Sequence, residues 1–133
     1  MTLILDASTV VAALIDTGPI GRWAEQQIET ASSLVAPHLL PVEVANVVRR
    51  REIAGDITEG EATVAMSDLV TLPVEYHPFA PFARRVCELR TSVGSYDAWY
   101  VALAEAASAP LATCDLRLTR APGPRCTFRT PPA

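Results

Sequence analysis

Hydrophobic and polar positions along the chain alternate between short apolar runs and longer amphipathic segments. The apolar runs predict strands at residues 2–5, 33–37, 74–77, 110–114 and 126–130. The segments with helical spacing predict helices at residues 8–15, 20–31, 39–55, 58–72, 81–93 and 95–107. Strands separated by helices in this order predict an α/β fold of one domain, residues 1–133, with a mainly parallel central sheet flanked by helices.

Composition narrows the class of protein. The chain has 133 residues, 50% of them hydrophobic, which is enough to build the core of one ordinary domain. No apolar run approaches the roughly 20 residues that span a bilayer, and the first residues carry no basic leader. We therefore expect a cytoplasmic protein that does not associate with membranes.

Charge and cysteine content exclude several kinds of chemistry. The net charge is −4, and all 11 basic residues are arginine, so any mechanism that needs a catalytic lysine is excluded. An aspartate-dependent phosphatase and a two-component receiver domain are poor fits for that reason. The 3 cysteines show no C-x-x-C spacing, so neither a disulfide framework nor a zinc site is indicated.

Four carboxylates lie at positions where catalytic or ligand-binding residues are often found in α/β proteins. Asp6 and Asp115 each follow an apolar run, and functional groups gather at the carboxyl ends of strands in a parallel sheet. Asp97 comes two residues after Ser95, a good N-cap candidate, and so falls in the first turn of its helix. Glu43 lies early in the helix predicted at 39–55.

Each of these acids also has a plainer structural interpretation. Asp6 could cap a helix, Asp97 could favour a helix dipole, Asp115 could start a turn and Glu43 could face solvent. Their conjunction favours function, because two carboxylates about 5 Å apart repel by about 3 kcal/mol at an effective dielectric constant near 20. The pairs among four such charges together approach the whole stability of a domain, about 5–15 kcal/mol. Such a cluster must take up protons or hold a cation, and hard oxygen ligands select Mg²⁺ or Mn²⁺ over Zn²⁺.

Four segments of the chain, taken in order, resemble a known family. "LILDASTVVAAL", "PVEVANVVRR", "SYDAWYVALAE" and "LATCDLRL" are similar to the acidic motifs of PIN-domain ribonucleases, in particular the small VapC-type toxins of bacterial toxin–antitoxin pairs. The resemblance implies a PIN-like domain. It also implies that one metal-dependent active site, using Mg²⁺ or in its place Mn²⁺, is lined by Asp6, Glu43, Asp97 and Asp115.

The resemblance adds three neighbours to these acids. Ser8 and Thr113 fall at hydroxyl positions of the family pattern and would bind carboxylates, waters or the scissile phosphate; helix capping and strand packing are their alternatives. Asn46 lies one helical turn after Glu43 and would orient its carboxylate, whereas a solvent-facing asparagine is the plainer interpretation.

The function implied is that of an Mg²⁺-dependent endoribonuclease, which hydrolyses RNA with a metal-activated water and leaves 5′-phosphate and 3′-hydroxyl ends. The implied partners are a cognate antitoxin protein that blocks the acidic site and a second copy of the chain in a homodimer. The alternative is a catalytically silent PIN-like module that binds RNA or a partner without cutting.

An acidic site repels RNA, so binding must come from other residues. Candidates for contacts with the RNA backbone are Arg50, Arg85, Arg117 and Arg120. Trp99 and Tyr100 are available to stack on unpaired bases, although packing in the core is the competing role.

Overall fold

Five parallel strands form one sheet in the order β3–β2–β1–β4–β5. The structure, a computed structural model, describes residues 1–133. The strands are β1 (Thr2–Leu5), β2 (Ser33–Pro37), β3 (Val74–His77), β4 (Leu111–Ala112) and β5 (Phe128–Arg129). All four strand pairs are parallel, which confirms the predicted α/β fold with its parallel sheet.

Seven helices connect or follow these strands. They are α1 (Ala7–Ile15), α2 (Pro19–Thr30), α3 (Leu40–Ile53), α4 (Glu59–Thr71), α5 (Ala83–Leu89), α6 (Ser95–Ala107) and α7 (Leu116–Arg120). The helix predicted at 81–93 is shorter: a 3₁₀ turn at Ala80–Phe82 precedes α5, which ends at Leu89. None of the helices combines the length and apolarity needed to cross a membrane.

Two glycines determine how closely α1 and α2 pack and where α3 ends. Gly21 of α2 lies against α1, and a Cβ there would sit 2.0 Å from the carbonyl oxygen of Asp16. Gly55 follows the end of α3 with a φ of 82°, a left-handed conformation that glycine adopts without strain. Gly21 therefore allows α2 to lie close to α1, and Gly55 allows the chain to turn after the end of α3.

The direction of the chain reverses in the middle of the sheet. From β1 the chain steps outward through β2 to β3, then crosses back to β4 and β5 on the other side of β1. Because parallel crossovers are right-handed, the helices of the two halves cover opposite faces, with α6 packed on β1, β2 and β4. The carboxyl ends of β1 and β4 therefore form a topological switch point, where such sheets bind ligands.

The central strand β1 is fully enclosed. Leu3, Ile4 and Leu5 are buried completely, as expected for a parallel strand covered on both faces. Ile4 pairs with Leu111 of β4. Asp6 therefore comes directly after the best-packed strand of the protein, which fixes its backbone position.

Candidate active site

Asp6 is both a helix cap and a buried acid. Its Oδ1 accepts hydrogen bonds from the backbone N–H of Thr9 at 2.9 Å and from the hydroxyl of Ser8 at 2.7 Å. Burial raises its pKa above the ordinary value, although hydrogen bonds from Thr113, Ser8 and Thr9 oppose that shift. The same carboxylate can therefore cap α1 and also take part in the site.

Two hydroxyl groups tie the end of β4 to this acid. Besides donating to Asp6, Ser8 Oγ accepts the backbone N–H of Cys114 at 2.9 Å. Thr113 is buried, and its Oγ1 accepts the backbone N–H of Asp115 at 3.0 Å. Ser8 and Thr113 therefore lie among the carboxylates, where they brace Asp6 and the turn that carries Asp115.

Asp97 lies in the first turn of α6, as predicted, but the helix starts differently. The N-cap is Gly94, which offers no side-chain cap, and Ser95 is the first helical residue instead of the cap. Burial raises the pKa of Asp97, and the negative charges of Asp6 and Asp115 raise it further, against the opposing charge of Arg117. Asp6 and Asp115 therefore both lie within electrostatic reach of Asp97.

A small cavity opens between the ends of α6 and β4. It measures about 270 Å³ and is bordered by Asp97, Asp115 and Arg117. A larger cavity of about 700 Å³ lies where β1 and β2 begin, and Glu75 is its one carboxylate. Of these two cavities, the smaller one at the switch point is therefore the one that two carboxylates border.

Glu43 reaches the cluster from α3 and is held by a tyrosine. The hydroxyl of Tyr100 donates to Glu43 Oε1 at 2.6 Å, and Tyr100 is only 1% exposed. Burial raises the pKa of Glu43, Tyr100 opposes the shift, and the charges of Asp97 and Asp6 add to it. All four predicted acids thus share one edge of the sheet.

Tyr100 takes the orienting role that the sequence assigned to Asn46. Asn46 is exposed and makes no side-chain hydrogen bond to Glu43, although it lies one turn away on α3. Tyr100 lies three residues after Asp97, so both side chains project from the same face of α6. That spacing is the signal by which the sequence could have identified it.

Arg85 proves to be a structural residue. Its guanidinium binds Glu105 through two hydrogen bonds of 2.7 and 3.2 Å and donates to the carbonyl oxygen of Gly123 at 2.8 Å. The backbone N–H of Arg125 also donates to Glu105, at 2.7 Å. Arg85 is therefore occupied in fixing the segment after α7 to α5 and α6, and the expectation that it contacts RNA does not fit this geometry.

The other predicted arginines are accessible. The side chain of Arg117 is 95% exposed, with its Nε 3.7 Å from Asp115 Oδ1. Arg50 and Arg120 are exposed and form no ion pair. Of this group, Arg117 is the one that borders the acidic cavity.

The donor atoms at this edge suit a hard divalent cation. They are carboxylate and hydroxyl oxygens, while burial and the nearby Asp6 raise the pKa of the Cys114 thiol and so keep it from acting as a soft thiolate ligand. No three acidic, histidine or cysteine side chains are arranged to hold one ion directly, and metal binding by all four acids stays a prediction. Mg²⁺ is commonly held by only one or two carboxylates together with waters and substrate phosphates, which this arrangement permits.

Comparison with known proteins finds PIN-domain and VapC proteins by sequence and by structure. Residues 3–124 match the PIN domain family. The chain is 37% identical to Ribonuclease VapC1 and 34% identical to Ribonuclease VapC12, both of Mycobacterium tuberculosis H37Rv, with 95% and 91% of this chain and 95% and 92% of those proteins covered. The crystal structure of VapBC2 from Rickettsia felis, bound to a DNA fragment from their promoter, contains a chain with the same fold: its TM-score is 0.69 at 17% identity, over 99% of this chain and 100% of that one.

Proposed function

This chain belongs to the PIN-domain family of VapC ribonucleases, and we propose that it is a divalent-metal-dependent endoribonuclease that acts as the toxin of a toxin–antitoxin pair. The proposal has Mg²⁺ as the metal, with Mn²⁺ able to replace it, and RNA as the substrate. One observation carries it most directly: Asp6 and Asp115, from distant parts of the sequence, lie close enough to Asp97 for their charges to raise its pKa.

In this proposal the acids divide into two groups by their surroundings. Asp97 and Asp115 border the cavity and would hold the cation with its waters, next to Asp6. Ser8 and Thr9 keep the Asp6 carboxylate fixed, and Tyr100 does the same for Glu43. A bound divalent cation would supply a Lewis acid that lowers the pKa of a water and offsets charge on the phosphate oxygens.

RNA would be held by arginine at the rim of the site. Arg117 borders the same cavity as Asp97 and Asp115, so a phosphate there would meet both the guanidinium and the acidic edge. Arg50 and Arg120 are accessible for further backbone contacts. Contacts of this kind are independent of sequence, and they position the strand without selecting it.

The proposed protein partner is a cognate antitoxin. Membership of the VapC family supports this partner, and an edge rich in carboxylates offers complementary charge to a basic segment. Homodimer formation stays a prediction. Sedimentation velocity of the purified chain, alone and with the antitoxin, would test both assemblies.

Cleavage of RNA by the pure protein tests the enzymatic proposal. We expect single-stranded RNA to be cut in Mg²⁺ and left intact in EDTA, with 5′-phosphate and 3′-hydroxyl ends. Asp6→Asn should abolish cutting, whereas Asp68→Asn, at an exposed position on α4, should retain it. Binding without cleavage over a broad panel of RNAs would favour the silent module, and metal-independent cleavage to 2′,3′-cyclic phosphate would exclude the metal-activated water.

A further inference from the structure

A groove runs from the acidic edge along α1. Its cavity measures about 350 Å³, and among the residues that border it are Ser8, Asp16 and Arg51. The Oγ of Ser8 lies 2.7 Å from Oδ1 of Asp6, so this end of the groove adjoins the acidic cluster. Ser8 is in the first turn of α1 and Asp16 is the C-cap, so about 12 Å of helix axis separates them. The groove therefore joins the acids to a second charged group, Asp16 with Arg51.

The other wall of the groove, α3, has the same direction. Glu43, Val47 and Arg51 follow one another at intervals of four residues and so share one face of this helix. The charges of Asp97 and Asp6 act on Glu43, whereas Val47 and Arg51 border the groove. The face of α3 that brings Glu43 to the acids thus continues along the groove as far as Arg51.

Between its two ends the groove is apolar. Val11 and Ala12 of α1, Ile20 of α2 and Val47 of α3 line it. Cavities of a few hundred Å³ with apolar walls and a small number of fixed polar groups are typical of sites for small organic ligands. One nucleobase is a ligand of this kind, since it is flat and apolar on its faces and polar at its edge.

Asp16 and Arg51 have hydrogen-bonding capacity left for such a ligand. Nη1 of Arg51 lies 3.3 Å from Asp16 Oδ1, neither side chain has another hydrogen-bond partner, and they are 37% and 33% exposed respectively. The backbone of Asp16 is fixed, because its N–H donates to the carbonyl oxygen of Ala12 at 3.1 Å and Gly21 packs against its own carbonyl group. The pair therefore presents carboxylate acceptors beside guanidinium donors at a defined place.

We propose that this groove binds an unpaired guanine of the RNA substrate and that Asp16 and Arg51 recognise its Watson–Crick edge. The inference rests on the proposed function and specifies the substrate as single-stranded or loop RNA with a guanosine close to the cleaved phosphate. The N1–H and N2–H donors of guanine are adjacent and match the two oxygens of a carboxylate, while its O6 accepts from an arginine. The other three bases lack two adjacent donors on this edge, and in a duplex the edge is already paired.

The charges along the groove favour a base as its occupant. Acids lie at both ends, Asp6 and Glu43 at one and Asp16 at the other, so phosphate is repelled and the RNA backbone would run outside with the base turned inward. An apolar side chain from a partner protein would fill the same walls. It would also bury the Asp16–Arg51 pair without adding hydrogen bonds, which is unfavourable for charged groups.

The test compares RNAs that differ in one base. Labelled oligouridines of about seven nucleotides, with guanosine, adenosine, cytidine or inosine at the central position, are bound to the full chain in Mg²⁺. An Asp97→Asn background prevents cutting, and Asp97 does not border the groove. We expect guanosine to bind about 5- to 150-fold more tightly than adenosine or cytidine, the range for one bidentate contact to a base. Inosine, which lacks the N2 amino group, should fall between them.

Substitutions then assign this preference to the charged end of the groove. Asp16→Asn replaces one acceptor by a donor and should reduce the preference for guanosine by about 5-fold or more, with binding of plain oligouridine unchanged. Arg51→Lys keeps the charge but loses the planar guanidinium, so the preference should fall as well. The matched controls are Asp68→Asn and Arg49→Lys, both at exposed positions outside this groove, and they should behave as the parent.

A substitution in the middle of the groove gives an independent check. Val47→Phe fills the space between α1 and α3 and should remove the preference without changing the charge. Equal affinity of the parent for all central bases would overturn the inference, as would a preference that Asp16→Asn and Arg51→Lys leave intact. A Val47→Phe variant that keeps the preference but no longer binds the antitoxin would overturn it too and assign the groove to that protein. A wild-type protein that fails to cut RNA in Mg²⁺ would refute the proposed function separately, since the affinities are measured without cleavage.

Discussion

The hydroxyl of Tyr100 lies 2.6 Å from Oε1 of Glu43 and joins α6 to α3 through two side chains 57 residues apart. Asp97 is on the same face of α6 as Tyr100, so the helix supplies one candidate metal ligand and the group that orients another acid. Burial and the adjacent Glu43 raise the pKa of Tyr100, which keeps the hydroxyl protonated and donating. The position of Glu43 therefore depends on how α6 packs on the sheet.

Tyr100→Phe removes this hydrogen bond while the ring stays in the core. We expect the Mg²⁺ concentration needed for half-maximal cleavage to rise by about 10- to 100-fold, as is typical when a group that orients a metal ligand is lost. Mn²⁺ binding, followed by electron paramagnetic resonance, should weaken in parallel. Tyr76→Phe on the edge strand β3 is the matched control and should leave both quantities unchanged. Equal metal dependence in the two variants would refute the role of Tyr100.

Asp97→Asn should stabilise the protein in EDTA while it destroys activity. The charges of Asp6 and Asp115 oppose ionisation of Asp97, and a neutral amide relieves that repulsion. The Tm should rise by a few degrees, since about 1 kcal/mol shifts it by roughly 3–6 °C at this size. Mg²⁺ should raise the Tm of the wild type and have little effect on the variant, because a ligand stabilises only the fold that binds it.

Calorimetry with and without Mg²⁺ measures both effects. Asp68→Asn, on the exposed face of α4, makes the same chemical change away from the site and should match the wild type in EDTA and in Mg²⁺. A lower Tm for Asp97→Asn in EDTA would mean that its carboxylate stabilises the fold instead of straining it.

The Arg85–Glu105 pair should make stability depend on pH. Burial alone would raise the pKa of Glu105, but the hydrogen bond and charge of Arg85 and the N–H of Arg125 outweigh it and lower the pKa below the ordinary value of 4.5. Because the folded pKa is the lower one, this stabilisation is complete above the unfolded value and is lost as the pH falls through the folded pKa.

Glu105→Gln should therefore lower the free energy of unfolding at pH 7 by about 1.5–3 kcal/mol, the range for hydrogen bonds to charged groups. The difference from wild type should shrink progressively below about pH 4.5. Urea unfolding at several pH values measures it, and Glu88→Gln is the control, since Glu88 is more exposed and lies 3.4 Å from Arg85. A difference that stays constant down to pH 3 would contradict the ionic origin.

Arg117→Ala should weaken RNA binding equally for all sequences. Loss of one phosphate contact lowers the slope of log affinity against log salt by about 1 and leaves any preference among bases intact. Fluorescence anisotropy over a range of salt concentrations gives this slope. Arg90→Ala is the matched control, because the Arg90 guanidinium is engaged by the Cys87 carbonyl oxygen at 2.6 Å. An unaltered slope for Arg117→Ala would remove this residue from the RNA surface.

The sequence predicted those features that depend on local pattern. Asp6 and Asp115 were placed from the apolar runs before them, because a parallel sheet aligns the carboxyl ends of its strands. Asp97 is predicted in the first turn of α6 from Ser95 as an N-cap candidate, and it lies there although the N-cap is Gly94. The local pattern is sufficient here because each of these acids lies at the end of a strand or the start of a helix, and the pattern indicates where those elements begin and end.

Side-chain partners across the fold could not be obtained in this way. Arg85 was grouped with RNA-binding residues because its partner Glu105, 20 residues later, is recognisable only once α5 and α6 are packed together. The sequence predicts Asn46 as the partner of Glu43 because spacing along one helix is visible in the chain, whereas the contact of Tyr100 with Glu43 joins two different helices. The missing information was the packing of α6.

The sheet order has a consequence for protein synthesis. β1 is made first, but its neighbour β4 and Asp115 follow more than a hundred residues later. Until the ribosome has delivered Leu111–Ala112, the first strand has a partner on one side only and the switch point does not exist. A chain interrupted before β4 would therefore carry Asp6, Glu43 and Asp97 without the strand that brings Asp115 to them.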